Sequence, residues 1–459
     1  MDNKQATLEL GTKPVGKLLV QYALPAIVAM TASSLYNMVD SIFIGQGVGS
    51  MAISGLAITF PFMNLSGAIG ACIGVGASTL LSVKLGQKDY SMANRILGNA
   101  VMLKIITGVL FGGLCLLFLS PILRFFGATD NTLPYAREYM EIILMGNMIT
   151  HLYFGMNAML RAASKPRQAM YATIFTVMLN TALDPLFIYT FDMGIRGAAI
   201  ATVLSQTTAL CWQLKIFSNK DELIHFKRGI FKLDWNIIRN ILAIGIAPLA
   251  MNAASCVIVI FINTALVRYG GDLAVGAYGI ANRIAFLFFM VIMGLNQGMQ
   301  PIAGYNYGAG NNDRLMRVLK LTITSAIGVM IVGWTISELI PQPIVGLFTT
   351  DDELIKRTVH AVRIISLMFP LIAYQVVVTN FFQSIGKAKI SIFLSLSRQL
   401  IFLLPLLITL PPLMGVDGVW WSLPSSDFVA CVVTAIIMTR YIRKQKTQTK
   451  QQQLNISTQ

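Results

Sequence analysis

The sequence predicts an all-α integral membrane protein of twelve transmembrane helices, and three observations carry that prediction. Hydrophobic residues make up 55% of the 459-residue chain and charged residues only 12%, against about 25% charged in ordinary soluble domains. Apolar runs of 20 or more residues recur along the whole length, each long enough to cross a hydrocarbon core of about 30 Å. The ten-residue alternating segments of a β-barrel are absent.

In order, the spans of the first half are read at roughly 18–44, 52–82, 96–119, 135–160, 168–190 and 197–218. Span 1 holds Asp40, the only charged residue between Lys17 and Lys84. Span 2 contains "GAIGACIGVG" (67–76), which no strand precedes and no Lys-Ser/Thr follows, so it serves close helix packing rather than phosphate binding. Span 3 carries Lys104, span 4 Asn157, span 5 "LNTALDPLFIYT" (179–190), and span 6 follows "MGIRG". After a basic loop, the second half continues at 237–267, 273–304, 316–340, 355–384, 390–412 and 418–441. Spans 7 and 10 contain no Asp or Glu, while span 8 carries Arg283, span 11 Arg398 and span 12 Asp427.

A net charge of +15 invites a nucleic-acid reading that its distribution rejects. With the N-terminus inside, 25 of the 35 basic residues fall on internal segments and 7 on external ones, leaving Lys104, Arg283 and Arg398 in spans. That bias is the positive-inside rule, and it places both termini in the cytoplasm of a multi-pass inner-membrane protein. The first 17 residues are polar and lack a small-residue cleavage site, so span 1 is not read as a removed signal peptide. The five cysteines lie singly within spans, and His151, His225 and His360 are isolated, without ligand spacing for a metal. No polar stretch exceeds about 18 residues, around 219–236, so no soluble catalytic domain is expected; the chain is read as a non-enzyme that needs no cofactor.

Internal repetition organises the chain. Pro25 in "ALPAIVAM" matches Pro248 in "IAPLAMNA" at an offset of 223. "KLGQKD" (84–89) and "SKPRQA" (164–169) match "NYGAGN" (306–311) and "GKAKIS" (386–391) at 222, and "MGIRGAAIATVLSQ" (193–206) matches "MGVDGVWWSLPSSD" (414–427) at 221. A duplication of six spans keeps both copies in one orientation, the parallel repeat of transporters that rock two lobes about a site. The expected domains are a six-helix lobe at 1–218, a cytoplasmic loop at 219–236, a second lobe at 237–445 and a polar tail at 446–459.

Counting depth from the span ends brings polar residues of the first half into one layer. Asp40 lies five residues before Gly45, Asp184 six before Thr190, and Thr202 six after Arg196. At about 1.5 Å per residue all three sit roughly 8–9 Å below the external surface, with Asn180 one turn below Asp184 on the same face. Two carboxylates, an amide and a hydroxyl suit a proton or a hard monovalent cation, and ionisable residues inside a membrane are functional candidates by default. Pro185 cannot donate to the Thr181 carbonyl, so a kink is expected beside Asp184. The second half offers Asn263 opposite Asp40 and Pro405 or Leu406 opposite Asp184. Ion coupling is therefore expected in the first lobe alone.

The stretches "LPAIVAMTASSLYNMVDSIFIGQGVG" (24–49), "GVGASTLLSVKLGQKD" (74–89), "LRAASKPRQA" (160–169) and "LNTALDP" (179–185), with two six-span repeats, resemble the multidrug and toxic compound extrusion (MATE) transporters. The resemblance covers nearly the whole chain. It implies two lobes in a V around a central cavity, and export of drugs or organic cations in exchange for inward H⁺ or Na⁺. The coupling site would be formed by Asp40, Asn180, Asp184 and Thr202, with no metal beyond Na⁺ there. The acid-dependent Na⁺ site that another branch places in spans 7 and 10 has no counterpart here. Met and Phe would line a deformable drug cavity between the lobes, with Tyr36 and Asn157 as candidate lining residues. The expected partners are small molecules and the bilayer, not nucleic acid, and the chain is expected to act as a monomer. A lipid-linked oligosaccharide flippase would need a basic cavity for pyrophosphate, where the first-lobe spans carry acids. A channel or non-transporting scaffold needs neither matched halves nor a one-sided carboxylate pair.

Overall fold

The computed structural model describes residues 3–457, and each of the twelve apolar runs is helical in it. Spans 1, 2 and 3 are the single helices Val15–Gly47, Ser50–Gly86 and Tyr90–Leu117, and span 6 is Gly194–Ser218. Spans 7 and 8 form one continuous 74-residue run, Trp235–Gly308. At about 1.5 Å per residue a straight helix of that length would exceed 100 Å, several times a bilayer core. The run is divided at Gly271, whose φ of 67° and ψ of −169° lie outside the helical region; without a Cβ, glycine adopts that conformation freely. Span 4 is broken at Gly146 into Leu133–Met145 and Asn147–Ala162, and span 10 bends by 51° between Asp352–Ser366 and Phe369–Ser384. By length and apolarity alone, eight described helices qualify as spans, or nine with the bent pair. Dividing the long run at Gly271, and adding span 4 and the small-residue-rich span 6, accounts for all twelve.

Two spans leave the α-helical register. Span 5 runs as α-helix from Pro166 to Pro185 and continues as a π-helical turn, Leu186–Thr190. Span 11 runs Ala388–Leu396, is π-helical over Ser397–Leu403, and resumes at Leu404–Thr409. Such turns carry one extra residue per repeat, redirect side chains and often mark functional positions.

The chain divides into two compact units that do not follow the repeat boundary. The first comprises Met1–Ala253, Met293–Lys320 and Gln383–Ala388. Its outer core packs Ile44, Phe62, Leu119, Leu123, Tyr139 and Met140 with Ile188 and Ala198. The second comprises Ala254–Ile292, Leu321–Phe382 and Lys389–Gln459. Its core is built on Ile262, Leu266, Ala274, Leu407 and Trp420, with the Tyr278 ring stacked on Trp420 at 6.4 Å between centroids.

Because Met293–Lys320 belongs to the first unit, the duplication is visible inside it. A Cβ on Gly86 would stand 2.0 Å from the Tyr305 carbonyl oxygen, and one on Gly308 2.0 Å from that of Val83. Residues 86 and 308, and 83 and 305, are each 222 apart, so the contact is reciprocal, as at an interface between two-fold-related copies. Glycine is required at both points because backbone meets backbone with no room for a methyl group. The segment 219–234 is strapped to span 3: Asn99 donates to the carbonyls of Ile230 (3.4 Å) and Lys232 (3.1 Å) and accepts from Asp234 N at 2.7 Å. Asn94 accepts from His225 N at 2.9 Å, and Arg95 pairs with Asp234 at 2.7 Å.

Candidate ion-coupling site

Three helices of the first unit bring the expected residues together. Span 1 supplies Asp40, span 5 Asn180 and Asp184, and span 6 Thr202; all four are buried, Asp184 completely and Asp40 to 5% exposure. The Asp40 and Asp184 carboxyl groups lie within hydrogen-bonding reach of each other. With the Asn180 amide oriented by its neighbours, Nδ2 donates to Asp184 Oδ2 at 3.0 Å. Its Oδ1 then accepts from Thr202 Oγ1 at 3.3 Å and Thr202 N at 3.1 Å. Asn180 is thus a bridge that fixes the Asp184 carboxylate against span 6. Asp40 Oδ1 is buried with no hydrogen-bond partner among the described residues.

This arrangement has an electrostatic consequence. Two like charges about 4 Å apart repel by about 4 kcal/mol at an effective dielectric near 20, and burial away from water adds to the cost. A proton shared between the oxygens, or a small cation held by them, relieves the repulsion and halves the buried charge. The carboxylates are acceptor-only when ionised, so the unpartnered Asp40 oxygen points to the same kind of occupant. Asp184 is the penultimate residue of the α-helical part of span 5, directly before Pro185 and the π-helical turn Leu186–Thr190. Pro185 supplies no N–H, and the helix widens just beyond it. The Tyr189 hydroxyl of that turn donates to the Phe43 carbonyl of span 1 at 3.1 Å. The π-helical turn is therefore tied to the helix that carries Asp40.

The sequence profile of the MatE family matches residues 25–186 and again 248–408. The chain belongs to the MatE family. The two MatE matches begin 223 residues apart, the offset of the Pro25–Pro248 pair. The "Multidrug export protein MepA" of Staphylococcus aureus (strain MSSA476) is 28% identical over 435 residues, 95% of each chain. The protein of that name from Staphylococcus haemolyticus (strain JCSC1435) is 27% identical over 431 residues, 94% of each. Among solved structures, the outward-facing conformation of a multidrug resistance MATE family transporter of the MOP superfamily matches with a TM-score of 0.90 and 25% identity, covering 95% of this chain and 98% of that one. A MOP superfamily transporter from Pyrococcus furiosus, in which reverse polarity of the binding pocket suggests a different function, matches with a TM-score of 0.89, also at 25% identity and the same coverage. The chain is therefore a multi-pass membrane transporter and not an enzyme.

Other polar residues of this MatE chain are placed apart from the carboxylate pair. Asn157 donates to the Ala169 carbonyl at 2.8 Å and to Thr173 Oγ1 at 3.1 Å, and its oxygen accepts from Arg161. Its amide is thus engaged at both ends in joining spans 4 and 5. Tyr36 is in the span 1 helix, but its side chain lies outside the described residues. Spacing gave no warning of a second network around Lys104. Its Nζ donates to the Gly70 carbonyl at 2.8 Å and the His151 carbonyl at 2.9 Å. His151 Nε2 lies 3.1 Å from the Ser66 carbonyl, and Ser66 donates to Asn147 at 2.7 Å. Lys104 thereby knits spans 2, 3 and 4. The usable signal was Lys104 itself, a lone cation in an apolar span. In the second unit, Arg398 Nε donates to Asp427 Oδ1 at 2.6 Å, joining the charges of spans 11 and 12.

Proposed function

We propose that this MatE transporter is a secondary active multidrug efflux antiporter. It exports cationic or amphipathic organic compounds in exchange for inward H⁺ or Na⁺ by alternating access. The observation that carries the reading is the buried meeting of Asp40 and Asp184, held by Asn180 and Thr202, in one half of a duplicated bundle. The names of the MepA relatives support the export of drugs. The basic residues of the internal segments support a cytoplasmic-membrane protein with both termini inside, and nothing in the mechanism requires more than a monomer.

The cycle follows from the site. Occupied by its ion, the pair carries one negative charge instead of two, and span 1 can stay tied to span 5. On release, the two negative charges repel and favour a cationic drug elsewhere in the protein, so drug and ion exclude one another. Antiport needs no more than this mutual exclusion, because each ligand biases the same conformational equilibrium in opposite directions. One monovalent cation moving inward through 100 mV releases about 2.3 kcal/mol. At about 1.4 kcal/mol per decade, that sustains roughly a 50-fold gradient of a neutral substrate. The test is ethidium export by purified protein in proteoliposomes, with a pH gradient or a Na⁺ gradient imposed separately. Export driven by one gradient and abolished by its ionophore supports the proposal; export indifferent to both removes it.

A further inference from the structure

A second polar site lies within the second unit, and the coupling pair takes no part in it. Spans 7, 8, 10, 11 and 12 enclose a half-open cavity of about 260 Å³, whose polar lining comprises Arg398, Gln399, Ser255, Asp427, Asn282 and Tyr278. Its apolar side includes Phe289 and Phe369. Arg398 and Gln399 are neighbours in the π-helical turn Ser397–Leu403, whose extra residue lets consecutive side chains line one cavity.

The hydrogen bonds at this site are incomplete in a specific way. A guanidinium has five N–H donors in a planar fork. Arg398 Nε donates to Asp427 Oδ1, and its two terminal amino groups make no hydrogen bond among the described residues. The side chain is 25% exposed, against 7% for Asp427, so the free edge of the fork belongs to the cavity wall. Gln399 Nε2 donates to Ser255 Oγ at 2.8 Å, while its Oε1 is buried without a hydrogen-bond partner among the described residues. The wall therefore offers an anion-binding fork beside an orphaned acceptor and a buried carboxylate.

We propose that this cavity is a second ligand site, for a small zwitterion carrying a carboxylate and an ammonium group on an apolar body. The carboxylate meets the Arg398 fork, which matches its geometry in bidentate fashion. The ammonium donates to Gln399 Oε1 and to Asp427, and the body packs on Phe289 and Phe369. The Arg398–Asp427 pair is neutral as a unit, so a ligand with net charge would bring an uncompensated charge out of water. A zwitterion brings none. The volume lies just below the range of about 300–1,000 Å³ typical of pockets for drug-sized ligands, which limits the site to a small molecule.

The test uses full-length protein and three probes sharing one ring: tritiated phenylalanine (zwitterion), its methyl ester (cation) and N-acetylphenylalanine (anion), measured by equilibrium dialysis. The native protein is expected to bind phenylalanine roughly tenfold tighter than either singly charged probe, the scale of a hydrogen bond to a charged group. Asp427→Asn should shift the preference to N-acetylphenylalanine, and Arg398→Gln to the methyl ester. Either variant leaves an unpaired buried charge that can impair folding. The double variant Arg398→Gln/Asp427→Asn removes the pair entirely and should lose phenylalanine binding while keeping its elution volume. Gly67→Ala, whose added carbon meets nothing within 4 Å, should leave binding unchanged. Absence of phenylalanine binding to the native protein, equal binding of the three probes, or undiminished binding in the folded double variant overturns the proposal.

Discussion

Replacing Asp40 by Asn preserves the shape of the side chain and removes one of two negative charges from a buried site. Asp40 is 5% exposed and within hydrogen-bonding reach of Asp184, so the new amide can donate to the remaining carboxylate. A hydrogen bond to a charged group contributes about 1.5–3 kcal/mol; the variant should therefore fold as well as the native protein or better. Its ion affinity should not survive. A unit charge about 4 Å from a bound cation contributes about 4 kcal/mol at an effective dielectric near 20. At about 1.4 kcal/mol per decade this is roughly a thousandfold in affinity. Gradient-driven ethidium export in proteoliposomes should fall to the protein-free background, with no loss of thermal stability. Gradient-driven export at half the native rate or more would refute the reasoning, because the site would then not need its second carboxylate.

Asn180→Leu breaks the bridge between Asp184 and Thr202 and should weaken driven export at least tenfold, whereas Thr202→Ser, which retains the hydroxyl, should stay near native; transport rates at equal protein incorporation check both. Gly86→Val and Gly308→Val each force a side chain onto a backbone carbonyl 2.0 Å from the first added carbon. Both should destabilise by at least about 1–3 kcal/mol, to similar extents because the contacts are reciprocal. Gly67→Ala, with nothing within 4 Å of its added carbon, should be neutral in the same melting assay. Asn99→Ala removes the bonds holding residues 230–234. It should speed tryptic cleavage at Lys227, Arg228 and Lys232 in inside-out vesicles but not in right-side-out ones, and cleavage from the outside would contradict the topology.

Much of this architecture could be read from the sequence because the membrane restricts what a chain can do. Asp40 and Asp184 stood out because a lone carboxylate in an apolar run is costly, and counting from the span ends put Thr202 at their depth and Asn180 one turn below on the same face. The repeat was legible from a constant offset, which the two family matches reproduce. Other features depend on relations between helices that spacing does not encode. Gly86 and Gly308 are two of 37 glycines, and only the fold shows that they meet the partner repeat's backbone. The π-helical turns have no periodic signature, although Pro185 marks the approach to one. Arg398 and Asp427 were each visible as intramembrane charges, but their pairing depends on how spans 11 and 12 face each other. The compact units also cross the repeat boundary, since helix ends pack by contact rather than by ancestry.

The most direct measurement is ion release at equilibrium. Purified native protein in weak buffer, titrated with ethidium, should release close to one H⁺ or one Na⁺ per drug bound, and the Asp40→Asn/Asp184→Asn double variant should bind ethidium with no release. Equal release from both proteins would place the exchange somewhere other than between these two carboxylates.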